Sequence, residues 1–359
     1  MSIRSAVSLR VHGVKHRFQD VWALRNVSID VQPGEFLSLL GPSGSGKTTL
    51  LRIIAGMLEP TEGRVVVGDR DITRLPSQKR NMGFVFQNYA LFPHMTVFEN
   101  VAFPLTLRQV RAQELRRRVA EALQLVELSG LDRRYPAQLS GGQQQRVSLA
   151  RAVVFRPEVL LMDEPLGSLD KRLRQQLQIE LRRLQREIGV TTIYVTHDQE
   201  EAFSMSDRIA VMHQGSVAQV GAPPDIYRSP VDPFIANFVG DMNWFEVEVT
   251  DGANGIGCAQ APGGVMLRIA PVGERKSGQR VVCGVRPERL RVGRELKADQ
   301  TFRGTLRVLT FQTGYFRAQV DLADGHRVLA DLHEDRPAIG EGDEVLVGWD
   351  ARDALIFPA

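Results

Sequence analysis

The chain has 359 residues, of which 43% are hydrophobic and 24% are charged, and its formal net charge is +3. This length favours two domains, and this composition is that of an ordinary globular protein, which excludes a disordered or fibrous chain. The mild positive charge gives no argument for nucleic acid or an anionic membrane as a partner.

The sequence predicts neither a signal peptide nor a membrane-spanning helix. The opening residues, MSIRSAVSLRVHG, lack the apolar core of a signal peptide. No window approaches the roughly 18 apolar residues that a membrane-spanning helix requires. Cys258 and Cys283 stand far apart, without the spacing of a zinc site or a disulfide framework. This cysteine usage is typical of a reducing compartment.

The first 235 residues alternate short apolar runs with helical patterns, which predicts a mostly parallel sheet covered by helices. Continuous apolar runs are typical of strands buried on both faces. The strand candidates are FLSLL (36–40), VLLM (159–162), TIYV (192–195) and IAVM (209–212). Between Asp170 and Gly189, leucines at helical spacing predict an amphipathic helix that ends at the glycine.

Residues 41–49 read GPSGSGKTT and match the phosphate-loop motif in full. The motif follows a predicted strand and precedes an apolar-periodic segment, as its mechanism requires. Glycines at 41, 44 and 46 let the backbone wrap closely around phosphate oxygens. We expect Lys47 to reach the β- and γ-phosphates and the Thr48 hydroxyl to complete a Mg²⁺ shell.

Four polar residues beyond the loop close predicted strands. Asp163, at the carboxyl end of VLLM, is well placed to hold Mg²⁺, and Glu164 to polarise an attacking water. Gln87 could orient water or ligate Mg²⁺, and His197 could hydrogen-bond the γ-phosphate. Taken alone, each of the last two is more often a capping or core polar group. Together with the phosphate loop they predict a phosphoryl-transfer site.

The stretch LSGGQ (139–143) holds no acid, base or metal ligand, yet it opens a predicted helix. Free N–H groups and the positive end of a helix dipole make such a step an anion site. Farther on, the proline-rich segment 223–234 predicts a connector. Residues 236–359 are rich in glycine and short strand-like runs, which predicts a small all-β domain, a barrel or a sandwich.

In chain order, Phe18, GPSGSGKTT, Gln87, LSGGQ, LLMDEP and His197 resemble the nucleotide-binding subunit of ATP-binding cassette (ABC) transporters. The resemblance implies an α/β P-loop NTPase cassette in residues 1–235, with a mainly parallel sheet and a helical subdomain at about 88–157. Residues 236–359 resemble the regulatory, TOBE-like domain, of OB or barrel type, that follows the cassette in a subgroup of bacterial importers.

The resemblance also implies a role for each motif residue. Phe18 would stack on adenine, where the family more often has tyrosine. Gln87 would sense Mg²⁺ and the attacking water, Asp163 would be the Mg²⁺ carboxylate, Glu164 the general base and His197 the contact to the γ-phosphate. The phosphates and Mg²⁺ would be lined by Gly41, Ser43, Gly44, Gly46, Lys47, Thr48 and Thr49. Contacts with a second subunit are implied as well. Asp170 would communicate across a dimer. The γ-phosphate held by the other subunit would be bound by four residues of this chain: Ser140, Gly141, Gly142 and Gln143.

The implied ligands are ATP and Mg²⁺. The implied partners are a second copy in a head-to-tail homodimer, integral membrane permease subunits and, indirectly, a periplasmic or extracellular solute-binding protein, without nucleic acid. The implied location is the cytoplasmic face of the inner membrane, as a peripheral subunit. Residues 169–212 look most like the ATPases of polyamine importers and are also similar to those serving ferric iron, phosphonate, sulfate and sugars. Two other hypotheses are a soluble cassette ATPase acting on ribosomes or DNA, and a regulatory nucleotide-binding module without turnover.

Overall fold

The computed structural model describes residues 6–167, 170–250, 257–260, 266–269, 278–333 and 337–359. These residues form two compact units, Met1–Ile226 and Tyr227–Ala359. Each unit has its own hydrophobic core, so each is described by itself.

The first unit contains two sheets. A four-stranded antiparallel sheet has the order β2-β1-β4-β5, and a six-stranded sheet has the order β10-β9-β3-β8-β7-β6. In the larger sheet every pairing is parallel except that of β9 with β10. The strands are β1 (Leu9–Phe18), β2 (Val21–Val31), β3 (Phe36–Leu40), β4 (Glu62–Val67), β5 (Arg70–Asp71), β6 (Met82–Val85), β7 (Val159–Asp163), β8 (Thr191–Thr196), β9 (Arg208–His213) and β10 (Ser216–Gly221).

Helices cover the larger sheet. Those of the first unit are α1 (Lys47–Ala55), α2 (Val97–Leu107), α3 (Ala112–Leu125), α4 (Gly141–Val153), α5 (Lys171–Ile188) and α6 (Gln199–Met205). Helices α2, α3 and α4 lie between β6 and β7, within the segment where the sequence predicts a helical subdomain. Helix α5 buries Leu177, Leu181 and Leu184 and ends at Gly189, whose φ is 67°. Its apolar stripe is the one that the leucine spacing predicts.

The central strands separate two cores. All five residues of β3 and all six of β8 are buried. Successive side chains of a strand point to opposite faces: Phe36 packs with α4 and α5, whereas Leu37 packs with α1 and the antiparallel sheet. Strands that are apolar on both faces explain the continuous hydrophobic runs in the sequence.

The second unit contains two five-stranded sheets, with the orders β13-β12-β11-β14-β20 and β15-β19-β16-β17-β18. All their pairings are antiparallel, and side chains of both sheets meet in one core around Trp349. The elements are α8 (Pro233–Phe238), β11 (Asn243–Thr250), β12 (Gly257–Gln260), β13 (Met266–Ile269), β14 (Arg280–Val285), β15 (Arg291–Gly293), β16 (Gln300–Gln312), β17 (Tyr315–Leu322), β18 (Arg327–Leu332), β19 (Glu344–Trp349) and β20 (Ala354–Pro358).

The proline-rich segment that the sequence predicts as a connector is partly helical. It forms the short helices α7 (Pro223–Arg228) and α8, and the division between the units falls within α7. Pro223, Pro224 and Pro233 occupy first-turn positions, where their missing N–H costs nothing and their fixed φ suits a helix, and Pro230 lies between the two helices. Asp232 caps α8 by accepting a hydrogen bond from the Ile235 N–H at 2.7 Å. The sequence, by contrast, places the domain boundary at 235.

The structure describes the side chain of one of the two cysteines. Cys283 is a free thiol in the core of the second unit, and burial raises its pKa to about 12. A thiol with so high a pKa is an inert hydrophobic residue rather than a nucleophile. The side chain of Cys258 lies outside the described residues.

Candidate functional site

The phosphate loop joins β3 to α1. Gly46 caps α1 with a φ of 101°, and a Cβ there would stand 2.7 Å from the Ala23 carbonyl oxygen. Gly44 has a φ of 79° and is exposed together with Ser43, so that a Cβ on Gly44 would meet no atom within 4 Å. Only glycine fits these two backbone conformations without strain. The loop therefore presents backbone amides at the start of a helix, which is an anion-binding arrangement.

Lys47 lies inside the loop. Its Nζ donates hydrogen bonds to the carbonyl oxygens of Gly41 at 2.7 Å and Pro42 at 2.9 Å, and the residue is 6% exposed. Burial lowers the pKa of Lys47, while the carboxylates of Glu164 and Asp163 act in the opposite direction. Its charged group is thus held at the centre of the loop by bonds that a phosphate could replace.

Two carboxylates follow the core strand β7. The Thr48 hydroxyl donates to Oδ1 of Asp163 at 3.2 Å, which connects the first turn of α1 with the end of β7. Burial raises the pKa of Asp163, and the neighbouring charge of Glu164 adds to this effect. Glu164 has a φ of 44°, and its N–H donates to the Val195 carbonyl of β8 at 3.0 Å. A non-glycine residue with positive φ is strained, and such strain concentrates at functional sites.

Three neighbouring strands bring their polar ends to Glu164. Oε2 of Glu164 lies 3.1 Å from Nδ1 of His197, which follows β8. The same oxygen accepts a hydrogen bond from Nε2 of Gln87, which follows β6, at 3.4 Å. Because β6, β7 and β8 are adjacent and parallel, their carboxyl ends meet at one edge of the sheet. Residues far apart in sequence therefore form one polar cluster beside the phosphate loop.

The LSGGQ stretch forms a capping box at the start of its own helix. Ser140 is the N-cap of α4, and its Oγ accepts a hydrogen bond from the Gln143 N–H at 3.3 Å. The Gln143 side chain in turn accepts from the Ser140 N–H at 3.0 Å, which completes a capping box. Gly141 is exposed, whereas Gly142 is buried against Leu173 of α5. These bonds join Ser140 and Gln143 to each other rather than to the phosphate loop.

Three predicted site residues, Phe18, Asp170 and Thr49, form none of the contacts described for the Glu164 cluster. Phe18, at the end of β1, is 50% exposed, and its ring meets that of His16 edge to face at 4.6 Å. Asp170 is the N-cap of α5 and accepts a hydrogen bond from the Leu173 N–H at 3.0 Å. Thr49 is half-buried in the first turn of α1. The structure leaves Phe18 and Asp170 outside the Glu164 cluster.

Sequence reasoning missed two residues that hold the Gln87 loop. Arg151 of α4 donates to the carbonyl oxygens of Tyr89 and Ala90, both at 2.8 Å, and Ser148 donates to Tyr89 at 3.0 Å. Tyr89 and Ala90 have φ values of 57° and 47°. The available signal was the spacing of Ser148 and Arg151, three residues apart on a helix, which places polar groups on one face. The loop after Gln87 is thereby tied to the helix that LSGGQ begins.

Two other kinds of feature are absent from the described ranges. No group of three or more histidine, cysteine or acidic residues there has the geometry of a metal site. Among the same residues, no helix combines the length and the apolar character needed to cross a bilayer.

Comparison with known proteins identifies both parts of the chain. Residues 24–167 match the ABC transporter family model, and residues 283–357 match the TOBE domain model. The spermidine/putrescine import ATP-binding protein PotA of Rubrobacter xylanophilus is 49% identical over 357 residues, which cover 98% of this chain and 94% of that protein. The sulfate/thiosulfate import ATP-binding protein CysA of Mesorhizobium japonicum is 51% identical over 272 residues, which cover 75% of this chain and 78% of that protein.

Solved structures agree with the fold. The dimeric structure of MJ0796, a bacterial ABC transporter cassette, is 35% identical with a TM-score of 0.54 and covers 60% of this chain and 98% of that one. The cbiO1 protein of Clostridium perfringens, part of the ABC transporter complex cbiONQ, is 30% identical with a TM-score of 0.57 and covers 61% of this chain and 89% of that one. The chain therefore belongs to the ABC transporter family, as an ATPase subunit with a P-loop NTPase cassette followed by a TOBE domain.

Proposed function

We propose that the chain hydrolyses ATP at the cluster around Glu164 and that this reaction drives an importer. The observation that carries the proposal is the convergence of Gln87 and His197 on one oxygen of Glu164, beside the phosphate loop. A carboxylate in this position can take a proton from an attacking water. Gln87 would orient that water, and His197 would contact the γ-phosphate, whose charge rises in the transition state.

The phosphates would be held by the loop itself. Lys47 would exchange its bonds to the loop carbonyls for bonds to the β- and γ-phosphates, and the amides around Ser43, Gly44 and Gly46 would donate to phosphate oxygens. Thr49 would add a hydroxyl contact from the first turn of the helix. The half-exposed ring of Phe18 supports a stacking contact with adenine.

The donor set beside the loop also suits Mg²⁺. The hydroxyl of Thr48, the carboxylate of Asp163 and the amide oxygen of Gln87 are hard oxygen ligands, which Mg²⁺ prefers together with substrate phosphates. The raised pKa of Asp163 supports this assignment, because burial and the charge of Glu164 outweigh the opposite effects of the Thr48 hydrogen bond, Arg52 and Lys47. Bound there, Mg²⁺ would neutralise developing negative charge on the phosphates.

The test of the active site separates binding from hydrolysis. We expect Glu164→Gln to leave the Kd for ATP unchanged and to slow hydrolysis by at least about a hundredfold, the usual scale for loss of a general base. Lys47→Ala should instead raise the Kd for ATP, because Lys47 contacts phosphate in the ground state. Both variants are compared by nucleotide titration and by phosphate release. Hydrolysis near the wild-type rate in Glu164→Gln would remove Glu164 from this role.

The second half of each site would come from another copy of the chain. The N-terminus of α4, with Ser140, Gly141, Gly142 and Gln143, offers donors to an anion, and the capping box joins Ser140 and Gln143 to each other rather than to the phosphate loop. In a head-to-tail homodimer it would meet the γ-phosphate on the other subunit. Asp170, at the start of α5, would then lie near the partner.

A groove in the helical segment supports docking of a permease. Its volume is about 360 Å³, and its lining is mainly apolar, with five phenylalanines. Its walls are formed by Phe84, Phe86, Ala90, Phe92, Phe103, Pro104, Leu107, Arg108, Arg151, Ala152 and Phe155. Such a groove suits the apolar face of a short helix. A permease seated there would place the chain at the cytoplasmic face of the membrane, as a peripheral subunit.

We propose polyamines as the cargo. The support is the relative named for spermidine and putrescine import, which matches 98% of this chain, including the β-rich unit. The relative named for sulfate and thiosulfate import matches 75%. Selection of the cargo would rest with the permease and an external solute-binding protein, since the ATPase site has no contact with it.

Uptake in cells tests the cargo. In a strain that lacks the gene, we expect the wild-type chain to restore uptake of radiolabelled spermidine and Glu164→Gln not to restore it. Unlabelled putrescine should compete for this uptake, and sulfate should not. Chain-dependent uptake of labelled sulfate, with no effect on spermidine, would instead make sulfate the cargo and leave the ATPase assignment intact.

A further inference from the structure

A buried carboxylate lies behind the His197 loop without a role in the chemistry proposed above. Glu201, in the first turn of α6, is 2% exposed. Its Oε2 accepts hydrogen bonds from the Tyr194 and Thr196 hydroxyls, each at 2.7 Å. Burial raises the pKa of Glu201, whereas these two hydroxyl donors act in the opposite direction. A buried acid is costly, so its hydrogen-bond partners indicate what it holds in place.

The bonds of Glu201 lead to both neighbours of His197. Thr196, which precedes His197, donates to Glu201 and accepts a hydrogen bond from the Asp198 N–H at 2.9 Å. Asp198, which follows His197, accepts the Glu201 N–H on Oδ1 at 3.2 Å. Both neighbours of His197 are thus bonded to Glu201: Thr196 to its carboxylate and Asp198 to its backbone N–H.

An arginine ties this arrangement to α5. Nη1 of Arg174 donates to Oδ2 of Asp198 at 2.9 Å, and Nε of Arg174 lies 3.9 Å from Oε1 of Glu201. Arg174 is in the first turn of α5, and its N–H donates to the Asp170 carbonyl at 2.9 Å. The His197 loop is therefore fixed from α6 and from the beginning of α5.

His197 itself has few side-chain restraints. Its side chain is 60% exposed, and its ion-pair geometry is with Glu164 at 3.1 Å. The position of an exposed ring depends on the main chain that carries it, and misplacement by about 1 Å can reduce a rate by about a hundredfold. We propose that Glu201 is a positioning residue, which holds His197 against Glu164 through Thr196 and Asp198. This inference rests on the proposed role of His197 in ATP hydrolysis.

The first test separates positioning from folding. Glu201→Gln retains the shape of the side chain but weakens its bonds to the hydroxyls. We expect kcat for ATP hydrolysis by the full chain to fall about tenfold or more, with an unchanged Kd for ATP and an unchanged Tm. Glu200→Gln is the matched control: Glu200 is the exposed neighbour on the same helix, and this variant should hydrolyse ATP at the wild-type rate.

A second variant breaks the connection at another point. Thr196→Val removes the hydroxyl between Glu201 and the Asp198 N–H but retains both carboxylates. We expect the same fall in kcat at constant Kd. Should Glu201→Gln fail to fold, this variant carries the test alone. Wild-type kcat in Thr196→Val, or in a folded Glu201→Gln, would overturn the inference.

A double-mutant cycle shows whether Glu201 acts through His197. If it does, Glu201→Gln combined with His197→Gln should hydrolyse ATP, in single turnover, at the rate of His197→Gln alone. Independent, multiplying losses would overturn the positioning role and leave the proposed function standing. A His197→Gln chain with wild-type activity would overturn the proposed role of His197 itself, and the positioning role with it.

Discussion

A lysine and two carboxylates lie close together beside the phosphate loop. Lys47, Asp163 and Glu164 lie within one partly buried region, where the charged forms of the lysine and of Asp163 are both disfavoured by burial. Such an arrangement binds nucleotide at the expense of stability, because groups prepared for a ligand are poorly compensated without it. The free chain should therefore gain stability when one of these charges is removed.

We expect Asp163→Asn to raise the Tm of the nucleotide-free chain by about 1 to 3 °C at pH 7. The folded state raises the pKa of Asp163, so stability is lost as the pH rises from the ordinary pKa of 3.8 to the raised pKa, and the full loss persists above it. The gain should shrink as the pH falls below the raised pKa and vanish below the ordinary one, where Asp163 is neutral in both states. Thermal unfolding at several pH values measures both effects.

Asp71→Asn is the control, because the pKa of Asp71 is shifted in the direction opposite to that of Asp163. Hydrogen bonds from the side chain and N–H of Thr73 lower the pKa of Asp71. Its charge is therefore favoured by folding at neutral pH, and its removal should leave Tm unchanged or lower it. A fall in Tm for Asp163→Asn would contradict the interpretation of that site.

Among the elements, α1 depends on a residue far along the chain. Arg80 is fully enclosed and donates to the carbonyl oxygens of Ile53 and Ile54, both at 2.8 Å, in the last turn of the helix. It also donates to Thr73 and Leu75, each at 2.7 Å. A cation at a helix C-terminus satisfies free carbonyls and opposes the dipole. Arg80 thereby stabilises the helix whose other end forms the phosphate loop.

Arg80→Met should lower the free energy of unfolding of the first unit by about 2 to 4 kcal/mol, because it leaves several buried carbonyls without donors. Arg74→Met, at an exposed arginine nearby, should change it little. Denaturant unfolding with a probe in the first unit compares the two variants. Equal stabilities for both would show that water replaces the guanidinium donors.

The sequence predicts an element well when a short stretch of residues carries the whole hydrophobic pattern. Strands β3, β7, β8 and β9 are evident because they are apolar on both faces. Strands β1 and β2 are not, because their pairing shifts register at several positions, among them Val14 and His16, which interrupts the alternation of polar and apolar residues. The prolines at 223–234 predict a connector but not its two short helices, because a first-turn proline and a loop proline look alike without the helix that follows.

Contacts between distant residues are similarly hidden. The motifs identify Thr48 and Asp163 separately, but no sequence pattern places the hydroxyl of one 3.2 Å from the carboxylate of the other. The sequence does not reveal the roles of Glu201 and Arg151 for the same reason: each depends on which strand or loop the fold brings to its helix. Their residue types alone indicate only solvated charges.

For the whole molecule, the proposed contact of LSGGQ with the γ-phosphate held by another copy makes a dimer the functional form under the proposed mechanism. With hydrolysis blocked by Glu164→Gln, we expect the chain to be a dimer with ATP and a monomer with ADP, since the γ-phosphate would bridge the two copies. Light scattering after size-exclusion chromatography measures the mass. A monomer with ATP at saturating concentration would contradict the shared site.

Gly141→Asp, added to Glu164→Gln, is the sharpest control for this dimer. A carboxylate in the first turn of α4 interacts favourably with the positive end of the helix dipole, so the fold should be retained. The same charge would repel the γ-phosphate of the partner, and we expect ATP to leave this double variant monomeric. An ATP-dependent dimer in spite of the added charge would place the α4 N-terminus away from the phosphate.

The capping box of Ser140 and Gln143 orders the start of α4 before any partner arrives. In it the Ser140 Oγ and the Gln143 side-chain oxygen serve as acceptors, so the Ser140 O–H and the Gln143 amide protons stay available as donors. A phosphate that accepts the Ser140 O–H replaces a water molecule rather than a bond of the capping box, and such an exchange contributes only about 1 kcal/mol. A motor has to release its product and begin again. A helix end that is already ordered, and that exchanges only water for its ligand, is well suited to releasing that ligand.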